Sequence, residues 1–286
     1  MTSAPAPSSP REPLRTLPIG MFDSGMGGLT VLHQCLVKLP AEDFVYVGDT
    51  ARFPYGSKTQ DELQRFALQI AGYLDDMGVK LLVVACNSAT AAALPLLQER
   101  FTTPLVGAVI PGARAAVQSS RYRRIGVLAT DATLESQSYP RAIHSIDSGA
   151  EVIVQSGGEL ARFIQEGDVA SREVVDAVRE LTAPLKERRV DVVIMGSTHY
   201  PLLAPMLERH LGPDVALVNP AAEIAREVDE ILRRQGIAND HGREGAYRFL
   251  CTGDVESFRG PGARFLQMPL DDVERLPLER LESAVR

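Results

Sequence analysis

Short apolar runs alternate with amphipathic stretches along almost the whole chain, from residue 19 onward. Runs at 19–22, 44–47, 81–85 and 105–109 form one set, and runs at 125–128, 152–154, 190–195 and 215–218 form a second. Apolar residues at helical spacing fill stretches such as 59–77, 88–100 and 172–187. Continuous short apolar runs are the pattern of strands buried on both faces, and helices between them make the crossovers that parallel strands require. The pattern predicts an α/β, doubly wound fold.

The two sets resemble each other. "PIGMFDSGMGGL" opens the first and "RIGVLATDATLES" opens the second; "KLLVVACNSA" and "VDVVIMGSTHY" are their third strands. Each third strand ends in a small residue followed by Cys86 or Ser197 and then polar residues. The resemblance predicts two pseudo-symmetric doubly wound domains with largely parallel sheets and an active site in the cleft between them, where the C-terminal strand ends meet. Beyond Asn219 a helical pattern covers 221–235, and the strand-helix unit "YRFLCTGDVESFRGPGARFL" is assigned to the first half. The expected domains are therefore 18–109 plus 220–286, and 110–219. Residues 1–17, rich in Pro, Ser and Ala and without a long apolar core, read as a disordered extension and not as a secretory signal.

Composition narrows the function. Apolar residues make up 45% and charged residues 23% of 286, as in soluble globular enzymes. A net charge of -7 argues against nucleic acid as a partner, and no apolar run is long enough to suggest a membrane span. Cys35, Cys86 and Cys251 do not make a disulfide framework, which points to a cytoplasmic setting. His33, His144, His199, His210 and His241 are scattered without metal-ligand spacing.

Four turns carry candidate chemistry. Asp23-Ser24-Gly25-Met26-Gly27-Gly28 joins a strand to a helix, where glycines admit a ligand's carboxylate or where Asp23 simply caps the turn. Thr30 breaks the dinucleotide fingerprint. In "VGDTARFPYGSK", Pro54 stiffens a loop that either turns on Asp49 or presents the Tyr55 hydroxyl and Gly56 N–H to a ligand. Cys86-Asn87-Ser88 lies at a strand end and a helix start, a position that lowers a thiol's pKa and favours a reactive role. Ser197-Thr198-His199 lies at the matching place in the second half; His199 is an acid-base candidate there, or a locally packed ring beside a helix cap. No nucleophile elbow accompanies Ser197, so a serine hydrolase is disfavoured.

The ordered set "IGMFDSGMGGLTVL", "YVGDTARFPYGSK", "VVACNSATAAAL", "IGVLATDATLES", "MGSTHYPLL" and "CTGDVESF" resembles the glutamate racemases of the aspartate/glutamate racemase superfamily, from about residue 19 to 266. That resemblance implies racemisation of glutamate without cofactor or metal, supplying D-glutamate for peptidoglycan, in a homodimer. It implies two bases on opposite faces of the α-carbon, at Cys86 with Asp23 in support and at Ser197 with His199 in support. It implies that Asp23, Ser24, Pro54, Tyr55, Gly56, Asn87, Ser88, Thr130, Thr133, Thr198 and His199 hold the substrate. The chain departs from the family in several places. Serine stands at 197 where cysteine is usual, Ser88 replaces threonine, Ile110 replaces a glutamate, Gln165 stands where glutamate is expected and Gly157 where cysteine is expected. A hydroxyl is far less acidic than a thiol, so Ser197 leaves two alternatives open. One is a one-cysteine relative doing one-sided proton transfer, as a decarboxylase or isomerase; the other is a non-catalytic glutamate-binding protein.

Overall fold

The structure is a computed structural model, and it describes residues 12–284, with the side chains of residues 14–284. Most of the expected N-terminal extension lies outside the described residues. Its last part does not match the expectation of disorder: Glu12–Arg15 is a short helix, tied down where Arg15 Nε donates to the Gly236 carbonyl at 3.1 Å and Lys80 Nζ donates to the Arg15 carbonyl at 2.7 Å.

The strands are β1 (Ile19–Asp23), β2 (Phe44–Gly48), β3 (Leu81–Val84), β4 (Leu105–Gly107), β5 (Arg124–Ala129), β6 (Glu151–Ser156), β7 (Val192–Gly196), β8 (Ala216–Val218), β9 (Tyr247–Cys251) and β10 (Val273–Arg275). They form a six-stranded sheet in the order β10-β9-β2-β1-β3-β4 and a four-stranded sheet in the order β6-β5-β7-β8. Every pairing is parallel. Within the larger sheet β2-β1-β3-β4 repeats the order of β6-β5-β7-β8, which is the repeat seen in the sequence expressed as topology. In each half the chain reverses direction across the sheet beside its first strand, between β1 and β3 and between β5 and β7. A crevice opens at the carboxyl ends of such a strand pair.

β9 joins the larger sheet beside β2, as its sequence suggested. β10 was not anticipated, because Glu274 and Arg275 are exposed and its apolar content is slight. It is an edge strand held by β9, with Arg248 donating to Glu274 at 2.7 Å. The run at 105–109 stops short: β4 ends at Gly107, and Val109 already belongs to the helix Val109–Ser119. Pro111 sits in that helix's first turn, where its missing N–H costs nothing.

The halves are also joined through their helices. The helix Pro220–Gln235 packs on both the helix Leu29–Lys38 and the helix Val109–Ser119. One apolar core runs from Ile19 and Leu81 in the first half through Ile224 to Val193 and Leu207 in the second. Among the described residues no helix is long and apolar enough to cross a membrane.

Candidate active site

The crevice narrows to a small cavity of about 80 Å³ with several polar side chains in its wall. Room on that scale holds a few waters or one small polar molecule. Ser24, Pro54, Tyr55, Gly56, Cys86, Asn87, Ser88, Thr130, Ser197, Thr198 and His199 all line it, although the first and last are 175 positions apart. Asp23 and Thr133 are buried but do not form the wall.

Cys86 follows β3 and is the N-cap of the helix Asn87–Arg100, with Sγ accepting from the Ala89 N–H at 3.5 Å. The helix start was expected to lower the thiol pKa. Burial outweighs it: Cys86 is 4% exposed, and desolvation, with the nearby Asp23 charge, pushes the thiol up to about 12. Hydrogen bonds from Ala89 and Ser24 pull the other way without winning.

Asp23 ends β1 at 0% exposure. It accepts from the Gly25 N–H at 3.0 Å and from the Thr198 hydroxyl at 3.3 Å. Burial nevertheless raises its pKa above the usual carboxylate value. Asp23 thus acts as the local cap of its turn, next to Cys86. The glycines of that turn permit close approach. A Cβ on Gly27 would collide with Thr198 Oγ1 and the His199 ring, so the two halves meet through this bare backbone.

The loop 49–57 is braced from behind. The Tyr55 hydroxyl donates to Asp49, which also accepts from Arg52 Nε at 2.6 Å and from the Thr252 hydroxyl at 2.8 Å. Tyr55 lines the cavity, while its hydroxyl proton serves Asp49. Gly56 faces Thr130 across the halves.

Across the crevice, three hydroxyls form a cluster. Ser88 Oγ lies 2.8 Å from Thr130 Oγ1 and 3.3 Å from Thr133 Oγ1, and the two threonines are 3.1 Å apart. Thr130 presents itself to the cavity, whereas Thr133 backs it. Asn87 accepts from the Tyr139 hydroxyl at 2.7 Å, which fixes its amide with the NH2 group left to donate.

Ser197 follows β7 at the place that mirrors Cys86. His199 was expected to support it through the ring. Among the described residues, the hydrogen bond to Ser197 Oγ comes instead from the His199 backbone N–H at 3.4 Å. The ring is engaged with Gln165 at 3.0 Å and Thr198 at 3.4 Å. It is packed between Phe53 and Phe265, with ring centroids 5.6 and 5.5 Å away. Burial lowers its pKa to about 3, so the ring is neutral at ordinary pH.

Sequence reasoning did not mark Phe53, Asp131, Glu159 or Arg162, which also line the cavity. Glu159 and Arg162 come from the loop and helix after β6, where no motif flags them. Gln165 appeared only as a departure from a family pattern; its reach to His199 has no sequence signal. The glycine at 157 now has a reason, since a Cβ there would collide with the Tyr200 hydroxyl and no cysteine fits without moving that ring. No group of three or more His, Cys, Asp and Glu among the described residues could hold a metal ion.

The fold and this cavity define an α/β enzyme built from two related parallel-sheet halves, each giving one strand-end residue to a shared polar site. The chain belongs to the aspartate/glutamate/hydantoin racemase family, whose model matches residues 27–228. It is 39% identical to the glutamate racemase of Listeria monocytogenes serotype 4a (strain HCC23) over 260 residues, 91% of this chain and 98% of that one. The crystal structure of a glutamate racemase isoform from Bacillus anthracis matches with a TM-score of 0.89 at 36% identity, covering 92% of this chain and 98% of that one. The glutamate racemase of Francisella tularensis subsp. tularensis SCHU S4, solved in complex with D-glutamate, matches with a TM-score of 0.87 at 32% identity, covering 93% and 99%.

Proposed function

We propose that this protein interconverts L- and D-glutamate by proton transfer at the α-carbon, without a cofactor, and so supplies D-glutamate for peptidoglycan. One observation carries the reading: Cys86 and Ser197, at equivalent strand ends of two repeated halves, line the same small cavity. Acid and base on opposite faces of one carbon are what inversion needs, and proximity lets both reach it.

The roles follow from the chemistry of each group. Cys86 removes the α-proton of D-glutamate, and Ser197 faces L-glutamate. Burial favours the protonated thiol; a bound substrate's ammonium group brings positive charge that favours the thiolate. Asp23, buried next to Cys86, sets the thiol's acidity through its own protonation state. Ser24, Gly56, Asn87, Ser88, Thr130 and Thr198 offer donors and acceptors for the ammonium and carboxylate groups, with Pro54 and Tyr55 closing the wall. Donors aimed at the α-carboxylate stabilise the charge that develops as the proton leaves. Thr133 and His199 hold these groups in place. Ser197 donates a proton or orders a water far better than it abstracts one, so racemisation is impaired and proton exchange is one-sided.

Residues 18–109 with 220–286 and residues 110–219 are the domains this reading uses, each carrying one face of the site. A cytoplasmic homodimer with no nucleic-acid or membrane partner completes it. The test is proton NMR of D- and L-glutamate in D2O with purified protein. Exchange of the D-glutamate α-proton, faster than that of L-glutamate, supports the reading; no exchange of either enantiomer sinks it and favours a glutamate-binding role.

A further inference from the structure

Gln165 belongs to the helix Leu160–Glu166 of the second half, yet it reaches the glycine turn of the first. Its Oε1 accepts from the Met26 N–H at 3.3 Å and lies 3.0 Å from His199 Nε2. The backbone partner is a donor only, so it orients the carboxamide with oxygen toward the ring. An oxygen at that distance from Nε2 requires the ring proton to be on Nε2. The lone pair of Nδ1 then faces the Thr198 hydroxyl, 3.4 Å away, and that hydroxyl also lies 3.3 Å from Asp23 Oδ1.

We infer that Gln165 is a positioning residue that holds His199 as the neutral Nε2–H tautomer, so that Thr198 links His199 on the Ser197 side to Asp23 on the Cys86 side. Thr198 has one hydroxyl proton and two acceptors for it. With Asp23 ionised the hydroxyl donates to the carboxylate. With Asp23 protonated the carboxylic acid donates to Thr198 Oγ1, and the Thr198 proton turns to Nδ1. The direction of this short chain therefore reports the charge next to Cys86 to the opposite face. Burial of both ends favours their neutral forms and hence the second direction. The amide carries no charge, so Gln165 fixes the tautomer without stabilising the imidazolium form. Phe53 and Phe265 pack against the ring, and Asp23, beyond Thr198, is the titratable group on this path.

The consequence for turnover rests on the racemase reading, but the tautomer does not. The test is nitrogen-15 NMR of the His199 ring in the purified protein, with Gln165→Leu and Gln165→Glu. The wild type shows a protonated, pyrrole-like Nε2 and a pyridine-like Nδ1 from pH 6 to 8. Gln165→Leu shifts both signals toward a mixture of tautomers. Gln165→Glu restores the Nε2–H tautomer and raises the His199 titration midpoint by about 1–3 units, since a carboxylate now faces the ring. Gln165→Glu keeps the side-chain length and carries the test even where Gln165→Leu fails to fold. An Nδ1–H tautomer in the wild type overturns the inference. So does an unchanged ring spectrum in Gln165→Leu, or an unmoved midpoint in Gln165→Glu. Because these readouts need no turnover, an inactive protein with the expected spectra would count against the racemase reading alone.

Discussion

The two halves put different chemistry at the same address. In the first, Cys86 follows β3, caps a helix and sits next to Asp23. In the second, Ser197 follows β7 and leads into the short turn Tyr200–Leu203, with the neutral His199 beside it. The backbone repeat is retained, β2-β1-β3-β4 against β6-β5-β7-β8, while the atom at the strand end changes from sulfur to oxygen. The repeat fixes where the strand-end group stands. It does not fix how acidic that group is, which depends on the atom and its local charges. A site with one thiol and one hydroxyl is a two-faced geometry with unequal faces.

The largest effect is expected on the stronger face. Cys86→Ser removes the only thiol that lines the cavity among the described residues, and α-proton exchange of D-glutamate should fall by about 10²–10⁴-fold, the range for loss of a general base. NMR in D2O measures this directly. Exchange that survives at the wild-type rate would mean that another group serves this face.

Making the faces alike is the converse experiment. Ser197→Cys should raise the racemisation rate by about 10²–10⁴-fold, followed by polarimetry or circular dichroism of glutamate, and should bring L-glutamate exchange up toward that of D-glutamate. Efficient, equal turnover of both enantiomers by the unaltered chain would break the comparison outright.

The Cys86 side also predicts a pH dependence. Its thiol is raised to about 12, so the protein's own thiolate is scarce at neutral pH and grows tenfold with each pH unit below that value. The kcat/KM for D-glutamate exchange should therefore rise with unit slope between about pH 6 and 9, since this parameter reports the free enzyme. A flat profile there would show that the thiolate is already formed.

Much of this was legible in the sequence. The eight apolar runs of the two sets each overlap a strand, because buried parallel strands leave a continuous apolar run and the helical stretches between them set it off. The repeat located Cys86 and Ser197, since chain order and strand-end position survive translation into topology. What escaped was set by neighbours distant in sequence. Burial, and not the helix start, decides the Cys86 pKa, and that burial comes from side chains such as Phe22, Tyr55 and Phe66 brought together by the fold. Tyr55 turns its hydroxyl to Asp49 because Thr252 and Arg52 gather there, and Thr252 comes from the far end of the chain. Glu159, Arg162 and Gln165 reach the site from a loop and helix with no motif. β10 was too polar to announce itself, being held by an edge pairing and an exposed ion pair.

The smallest effect separates the wall of the first half from its reactive group. The Tyr55 hydroxyl donates to Asp49 and not into the cavity. Tyr55→Phe keeps the ring, which is 1% exposed and packs 5.6 Å from Phe66, and deletes one donor to a fully buried carboxylate. Asp49 retains Arg52 and Thr252, so the loss stays near the lower end for an under-satisfied buried group, about 1 kcal/mol. Urea unfolding should show a lower midpoint at unchanged slope, as expected when stability falls and the surface exposed on unfolding does not change. The KM for glutamate should remain as in the wild type, because no ligand-facing donor is removed. A raised KM with unaltered stability would reverse the assignment: the Tyr55 hydroxyl would then turn from Asp49 to the substrate when the cavity fills, and the first half would supply a donor as well as a base.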